Sequence, residues 1–347
     1  MNFMQKCFVT LALMLASITV SAADKFNVCW SHYTGWEPWQ YAQDSGILKK
    51  WADKHGIEIK LTLINDYIES INLYITGQFD ACTMTNMDAL TIPAAGGIDS
   101  TVLIVGDYSN GNDGIVVRGG KTMADIKGLD VLMVELSVSH YMLARALTLS
   151  GMSERDVKVI NTSDADIASA FIAQPKAAVV TWNPPLQQVR QQKKANLVFD
   201  SSKIPGEILD LMVVKTAADA RLKKALVGAW YETMKAMSSG GQLQRAAIAI
   251  MAKSAGGTEA EFNAQLNTTK MFYTPADAVK IMQDASLATT MDAVRKFSFE
   301  KGLFGAGAKN VDVIGIEFPN NKILGNPKNI KLRFDSSFVA QALDGKL

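Results

Sequence analysis

A chain of 347 residues has the length of about two domains. With 48% hydrophobic and 20% charged residues it has the make-up of an ordinary globular protein, which excludes disorder, collagen and disulfide-rich miniproteins. Its 35 Lys+Arg against 34 Asp+Glu leave a net charge of +1, so there is no electrostatic footprint for nucleic acid and none is expected as a partner.

Residues 1–22 read as a signal peptide: Lys6 gives a positive start, 7–20 is largely apolar, and Val20-Ser21-Ala22 offers small residues for cleavage after Ala22 or Ala23. The run is too short to span a membrane, and Cys7 stands at its start where a lipoprotein Cys would follow its end. A free, exported periplasmic protein is the expectation. A strand is expected over 26–30, then a helical stretch opened by Pro38, broken at Gly46 and closed by Gly56. Ile57, Ile59, Leu61 and Leu63 alternate with Glu58, Lys60 and Thr62, the period of a half-exposed strand. Helix 67–76, strand 79–83, helix 88–95 and strand 101–107 follow, an alternation that implies a parallel sheet with helices on both faces.

A second series begins after the loop 109–114, with strands over 130–134, 157–160 and 177–181 and helices near 139–150, 164–173 and 184–192. The segment KIPGEILDLMVVK reads as a turn and a strand, and beyond it Leu222, Leu226, Ala229, Trp230 and Met234 mark one face of a long helix. Two α/β units with a helix-rich tail result, either in tandem or interleaved.

Cys29 and Cys82 each close a predicted strand, where they form either a bridge or a pair of buried small hydrophobes. His32, His55 and His140 are scattered, and the lone Cys29-x-x-His32 lacks a second pair, so neither a metal nor a cofactor is expected.

Open parallel sheets bind ligands beyond the carboxyl ends of their strands. Trp30, Tyr33, Trp36 and Trp39 crowd such an end with Glu37 among them, a set of large rings that packs in the core or walls a pocket. Other strand ends carry Asn86 and Asp88; Asp107 and Asn110; Glu135, Ser137 and Tyr141; Trp182 and Asn183. Singly, Asp88 and Ser137 suit helix caps, Asn110, Asn112 and Asp113 suit turns, and Asn183 before Pro184 suits a cap. Together, Glu37, Asp88, Asp107 and Glu135 place carboxylates at strand ends that lack Lys and Arg, the reverse of an anion site.

The segments GWEPWQYAQDSGILKKW, NDYIESINLYITGQFDACTMTNMDALTIPAAGG, VGDYSNGNDGIVV, AAVVTWNPP and PGEILDLMVV resemble ABC-transporter solute-binding proteins of the nitrate, sulfonate and taurine-type class. TNMDALTIPAAGG and GDYSNGNDG are more similar to the subgroup found with urea carboxylase systems, the urea- or guanidine-type binders. The resemblance implies an α/β, two-lobed periplasmic-binding-protein fold of type II: lobe one from 24–113 and 214–347, lobe two from 114–213, with crossovers near 107–114 and 205–213. It also implies a monomer that hands its ligand to an inner-membrane permease and has no enzymatic activity. The cysteine-rich motif of the related pyrimidine-synthase enzymes is missing.

Where sulfonate- and nitrate-type members read an anion with hydroxyls, amides and basic groups, this chain has Thr85-Asn86-Met87-Asp88. A planar, donor-only guanidinium fits the inventory best: Glu37, Asp88 and Asp107 as acceptors and Trp30, Trp36 and Trp182 as faces, with Tyr33, Asn86, Glu135, Ser137, Tyr141 and Asn183 completing the expected ligand-binding set. Urea, using a donor such as Asn86 or Asn183, comes second. Sulfonate, taurine or nitrate binding, an enzyme on the same fold, and a module for a protein partner are the alternatives.

Overall fold

The computed structural model describes residues 23–347. The expected signal peptide, 1–22, lies outside the described residues. In chain order, β1 (Asp24–Trp30), β2 (Ile57–Leu63), β3 (Ala81–Thr85) and β4 (Ser100–Ser109) come first, then β5 (Asp113–Arg118), β6 (Asp130–Met133), β7 (Lys158–Asn161), β8 (Ala178–Trp182) and β9 (Ala195–Asp200). They are followed by β10 (Leu209–Lys215), β11 (Thr269–Met271), β12 (Gly315–Phe318), β13 (Lys322–Leu324) and β14 (Ile330–Phe334). The larger sheet has the order β13-β12-β14-β4-β10-β3-β1-β2 with β11 paired to β4; the smaller has the order β7-β6-β8-β5-β9. The units are therefore interleaved: the chain leaves the larger sheet after β4 and returns at β10.

The alternating stretch at 57–63 is the edge strand β2, with Ile57 and Leu61 buried and Glu58 and Lys60 exposed. The wholly parallel sheet expected from the first series needs correction. The returning strand β10 inserts between β3 and β4, antiparallel to both. Its run Leu209 to Val214 is buried along its whole length, as a central strand must be. The lobe boundaries expected at 113/114 and 213/214 both fall inside strands, β5 and β10. The expected helix 88–95 is a short turn, Asn86–Ala89, that widens to a π-helix over Leu90–Ala94, where Pro93 offers no N–H to continue the ladder.

In the tail, the helix Ala220–Ser238 buries Leu222, Leu226, Ala229, Trp230 and Met234 as its spacing predicts. Trp230 lies 5.1 Å from Trp39, and a Cβ at Gly106 of β4 would overlap its ring. The strands β11–β14, three to five residues each, add β-structure to a tail expected from the sequence as helices alone. The tail helix Ala285–Glu300 reaches the smaller sheet's unit: Phe297 packs edge-on to Tyr141 at 5.4 Å and His140 at 5.8 Å on the helix Val138–Leu149. Cys29 and Cys82, register partners of the parallel β1–β3 pair, form a disulfide, one of the two readings open from sequence. No helix among the described residues is long and apolar enough to cross a membrane.

Candidate functional site: an acidic cavity between the sheets

The ends of five strands converge where the sheets face each other. Asp107 and Asp210 are register partners of β4 and β10, Thr85 partners Asp210 from β3, and Asp113 partners Trp182 across β5 and β8. The loop after β1 adds Tyr33 and Trp36. Asp66 caps the helix Tyr67–Ile75 by accepting from Glu69 N at 2.9 Å, which sets Tyr67 at the helix start facing the same space.

The cavity among these residues measures about 10 Å³, the room of one water-sized group. Four rings run around it, with successive centroids 5.1 Å (Tyr33–Trp36), 5.5 Å (Trp36–Tyr67) and 5.6 Å (Tyr67–Trp182) apart. Thr85, Asp113 and Asp210 supply its polar wall, and Val138 and Ile208 complete it. Neither Lys nor Arg lines it.

Two further carboxylates stand one hydroxyl behind the wall. Tyr67 Oη donates to Asp88 Oδ2 at 2.7 Å, as does Thr85 Oγ1 at 2.8 Å, and Tyr33 Oη donates to Asp107 Oδ1 at 3.0 Å. Asp88, Asp107, Asp113 and Asp210 are 0 to 2% exposed. Asp88 Oδ1, Asp107 Oδ2 and Asp210 Oδ2 have no hydrogen-bond donor. Burial is the main cause that pushes all four acids up, Asp88 to about 6 and Asp113 to about 7. Gly35 makes room for this arrangement, because a Cβ there would overlap Asp107 Oδ2 and the Tyr33 ring.

Of the residues singled out from sequence, Tyr33, Trp36 and Trp182 line the cavity, with Asp88 and Asp107 just behind it. Asp88 is not the cap of its helix; Thr85 is, accepting from Asp88 N at 3.3 Å. The others do not reach the cavity. Glu135 is exposed, because β6 ends at Met133 and the chain turns outward. Trp30 is buried against His32 at 5.7 Å. Glu37 is buried with Oε1 2.7 Å from His32 Nδ1; burial lowers the His32 pKa, but Glu37 together with the charge of Asp164 raises it on balance. Asn86 ties the crossover down, donating to Glu207 O at 3.1 Å and accepting from Leu209 N at 3.1 Å.

Ser137 caps its helix through Ser139 N at 3.2 Å. Tyr141 Oη donates to Glu207. Asn183 N donates to Asn112 O at 3.1 Å, bracing the β5–β8 end. Sequence reasoning missed Tyr67, Thr85, Asp113 and Asp210 as wall residues. Asp210 left a signal in ILDLMVV, an acid inside an otherwise apolar strand.

Contacts across the gap hold the two units together: Trp182 Nε1 donates to His32 O at 3.2 Å, Tyr67 N to Asp164 Oδ1 at 3.1 Å, and Ser163 Oγ to Asp66 Oδ2 at 2.8 Å. Among the described residues no group of three or more His, Cys, Asp or Glu is placed to hold a metal ion.

The model of a family described as "NMT1/THI5 like" matches residues 47–232, just over half the chain. A Brucella abortus (strain 2308) protein, named as a binding protein with no ligand stated, is 24% identical over 191 residues, 54% of this chain and 58% of that protein. The chain thus spans somewhat over half the length of the curated relatives it matches. Among solved structures, the alkanesulfonate-binding protein SsuA of Xanthomonas axonopodis pv. citri, bound to MOPS, superposes with a TM-score of 0.67 at 16% identity over 82% of this chain and 95% of that one. The periplasmic nitrate-binding protein NrtA of Synechocystis PCC 6803 superposes with a TM-score of 0.60 at 12% identity over 94% of this chain and 99% of that one. These likenesses show the fold: two α/β lobes of the periplasmic-binding-protein type, with a helix-rich C-terminal part.

Proposed function

The chain belongs to the NMT1/THI5-like family, and from that premise we propose that it is the solute-binding component of an ABC importer, capturing a small organic cation of the guanidinium type between its lobes in the periplasm. One observation carries the ligand class: four buried aspartates, Asp88, Asp107, Asp113 and Asp210, surround an aromatic cavity to which no basic side chain contributes. Buried carboxylates are ordinarily paired. Here the missing partner is a cation that donates from its edge to the carboxylates and stacks its face on Trp36, Tyr67 or Trp182. At about 10 Å³ the cavity has room for one water-sized group, so even a ligand of four heavy atoms enters only as the walls move apart, and one the size of MOPS needs a larger movement still. At a ceiling of about 1.5 kcal/mol per heavy atom, four atoms give roughly 6 kcal/mol, a Kd of roughly tens of micromolar.

The disulfide supports a compartment that permits oxidation, and the fold supports hand-over to a permease and binding without turnover. Urea is the second reading, favoured by Trp36, whose buried indole N–H lacks an acceptor that a urea oxygen would supply. Sulfonate or nitrate binding draws support from what the neighbouring structures are named for, but an anion against these carboxylates costs several kcal/mol unless they are protonated. A thermal-shift panel of guanidinium, methylguanidine, urea, taurine, ethanesulfonate and nitrate tests the choice, since a ligand of the folded form raises Tm. Guanidinium should give the largest shift at equal concentration. A larger shift with taurine or nitrate sinks the cationic reading.

A further inference from the structure

Asp107 and Asp210 oppose each other across the antiparallel β4–β10 pair, so their side chains share one face of the sheet. Directly opposed residues of an antiparallel pair have Cβ atoms roughly 5 Å apart, which sets the two carboxyls side by side. The Tyr33 hydroxyl serves Asp107 Oδ1, which leaves Oδ2 of each acid without any donor. The titratable groups facing the pair are Tyr33 from the loop after β1, Asp113 from β5 and Tyr273 from the segment after β11, with Asp88 beyond Asp113. All are acids, and two acceptors in contact bond only when one carries a proton.

We infer that the Asp107–Asp210 pair is the charge-reading element of the site: it shares a proton when the cleft is empty and gives it up as a cationic ligand enters, so that capture exchanges a cation for a proton. The inference rests on the proposed capture of a small organic cation and adds the residues that select for charge. The proton passes to solvent, and no bond to the ligand forms or breaks. Burial of both acids keeps the proton in place toward the neutral range. A neutral amide of the same shape leaves the proton where it is and gains no charge pairing, which separates guanidinium from urea. Apparent affinity for the cation climbs with pH while the empty pair holds its proton and levels off once it has lost it.

Titration calorimetry of the protein with guanidinium chloride, at about pH 6 and at about pH 8.5 and each time in two buffers that titrate near that pH with different ionisation enthalpies, counts the protons. At the lower pH about one proton per ligand should leave the pair, with Kd about tenfold or more weaker than at the higher pH. Asp210→Asn should lower the proton count by about one and flatten the pH dependence; Asp107→Asn is the second variant should the first not fold. Infrared difference spectra supply a readout that needs no ligand: a buried protonated-carboxyl band in the empty protein at about pH 6, missing in either variant and bleached by guanidinium in the wild type. Guanidinium binding with no proton release and a flat pH profile overturns the inference and leaves the cationic reading standing. Failure of guanidinium to bind overturns the cationic reading, and absence of the carboxyl band then overturns the shared proton separately.

Discussion

Glu207 and Asp210 stand three residues apart at the second crossover and meet opposite surroundings. Glu207 takes a two-pronged contact from Arg145, at 2.8 Å on each oxygen, and a third bond from Tyr141. Nearby, Glu154 is flanked by His140 at 3.2 Å and by Lys301, and the His140 hydrogen bond is the main cause that holds its carboxyl down at about 2. Asp210 is more deeply buried than either, has only other acids beside it, and is pushed up. Where the chain needs a carboxylate for architecture, it places the cation in the same fold. Around Asp210 no such cation is placed, and on the proposed reading the ligand supplies it.

The largest consequence concerns pH. The cavity acids have folded pKa values above their unfolded ones, so they contribute stability that is fully present below about pH 4 and lost as pH rises through about 6 to 7. For Asp88 alone this is on the order of 3 kcal/mol. His32, raised from 6.5, works in the same direction, whereas Glu154, already ionised well below this window, does not move within it. Calorimetric scans of the ligand-free protein should show Tm falling between about pH 5 and 8, while the increment added by guanidinium grows. A Tm that rises over this range breaks the contrast between the clusters.

Substitution sharpens it. Asp88→Asn keeps an acceptor for Tyr67 and Thr85 but removes the charge, so guanidinium binding should weaken by about 2 to 5 kcal/mol while ligand-free Tm holds or rises. An affinity within threefold of wild type would return Asp88 to a structural role. Glu207→Gln should do the opposite: about 1 to 2 kcal/mol of stability lost as half-buried Arg145 loses its partner, with binding nearly unchanged. Denaturant unfolding beside calorimetry separates the two. The smallest effect is expected of Trp182→Ala, about 1 to 2 kcal/mol of binding through lost stacking, read as a faster off-rate.

The contrast also explains which parts of the site were legible. Periodicity located most strands and the long tail helix, because burial imprints apolar spacing on consecutive residues. Trp36 and Asp107 were visible because they sit at strand ends, a position local sequence reveals. Asp113 and Asp210 were not, since Asp113 reads equally as a turn former in NGNDG and Asp210 matters only because β10 lies against β4, a pairing between residues far apart in sequence. Glu135 misled for the same reason. It follows a strand, yet the smaller sheet turns that end outward.

The bond between Cys29 and Cys82 lies one residue before Trp30 and three before Thr85, on neighbouring strands that lead into the aromatic loop and the Thr85 turn. A shift of one of these strands against the other would change the spacing of the cavity walls. A covalent tie just behind the recess acts as a fixed gauge block: the strands can breathe at their far ends, but the spacing from which the aromatic loop and the Thr85 turn are measured stays set.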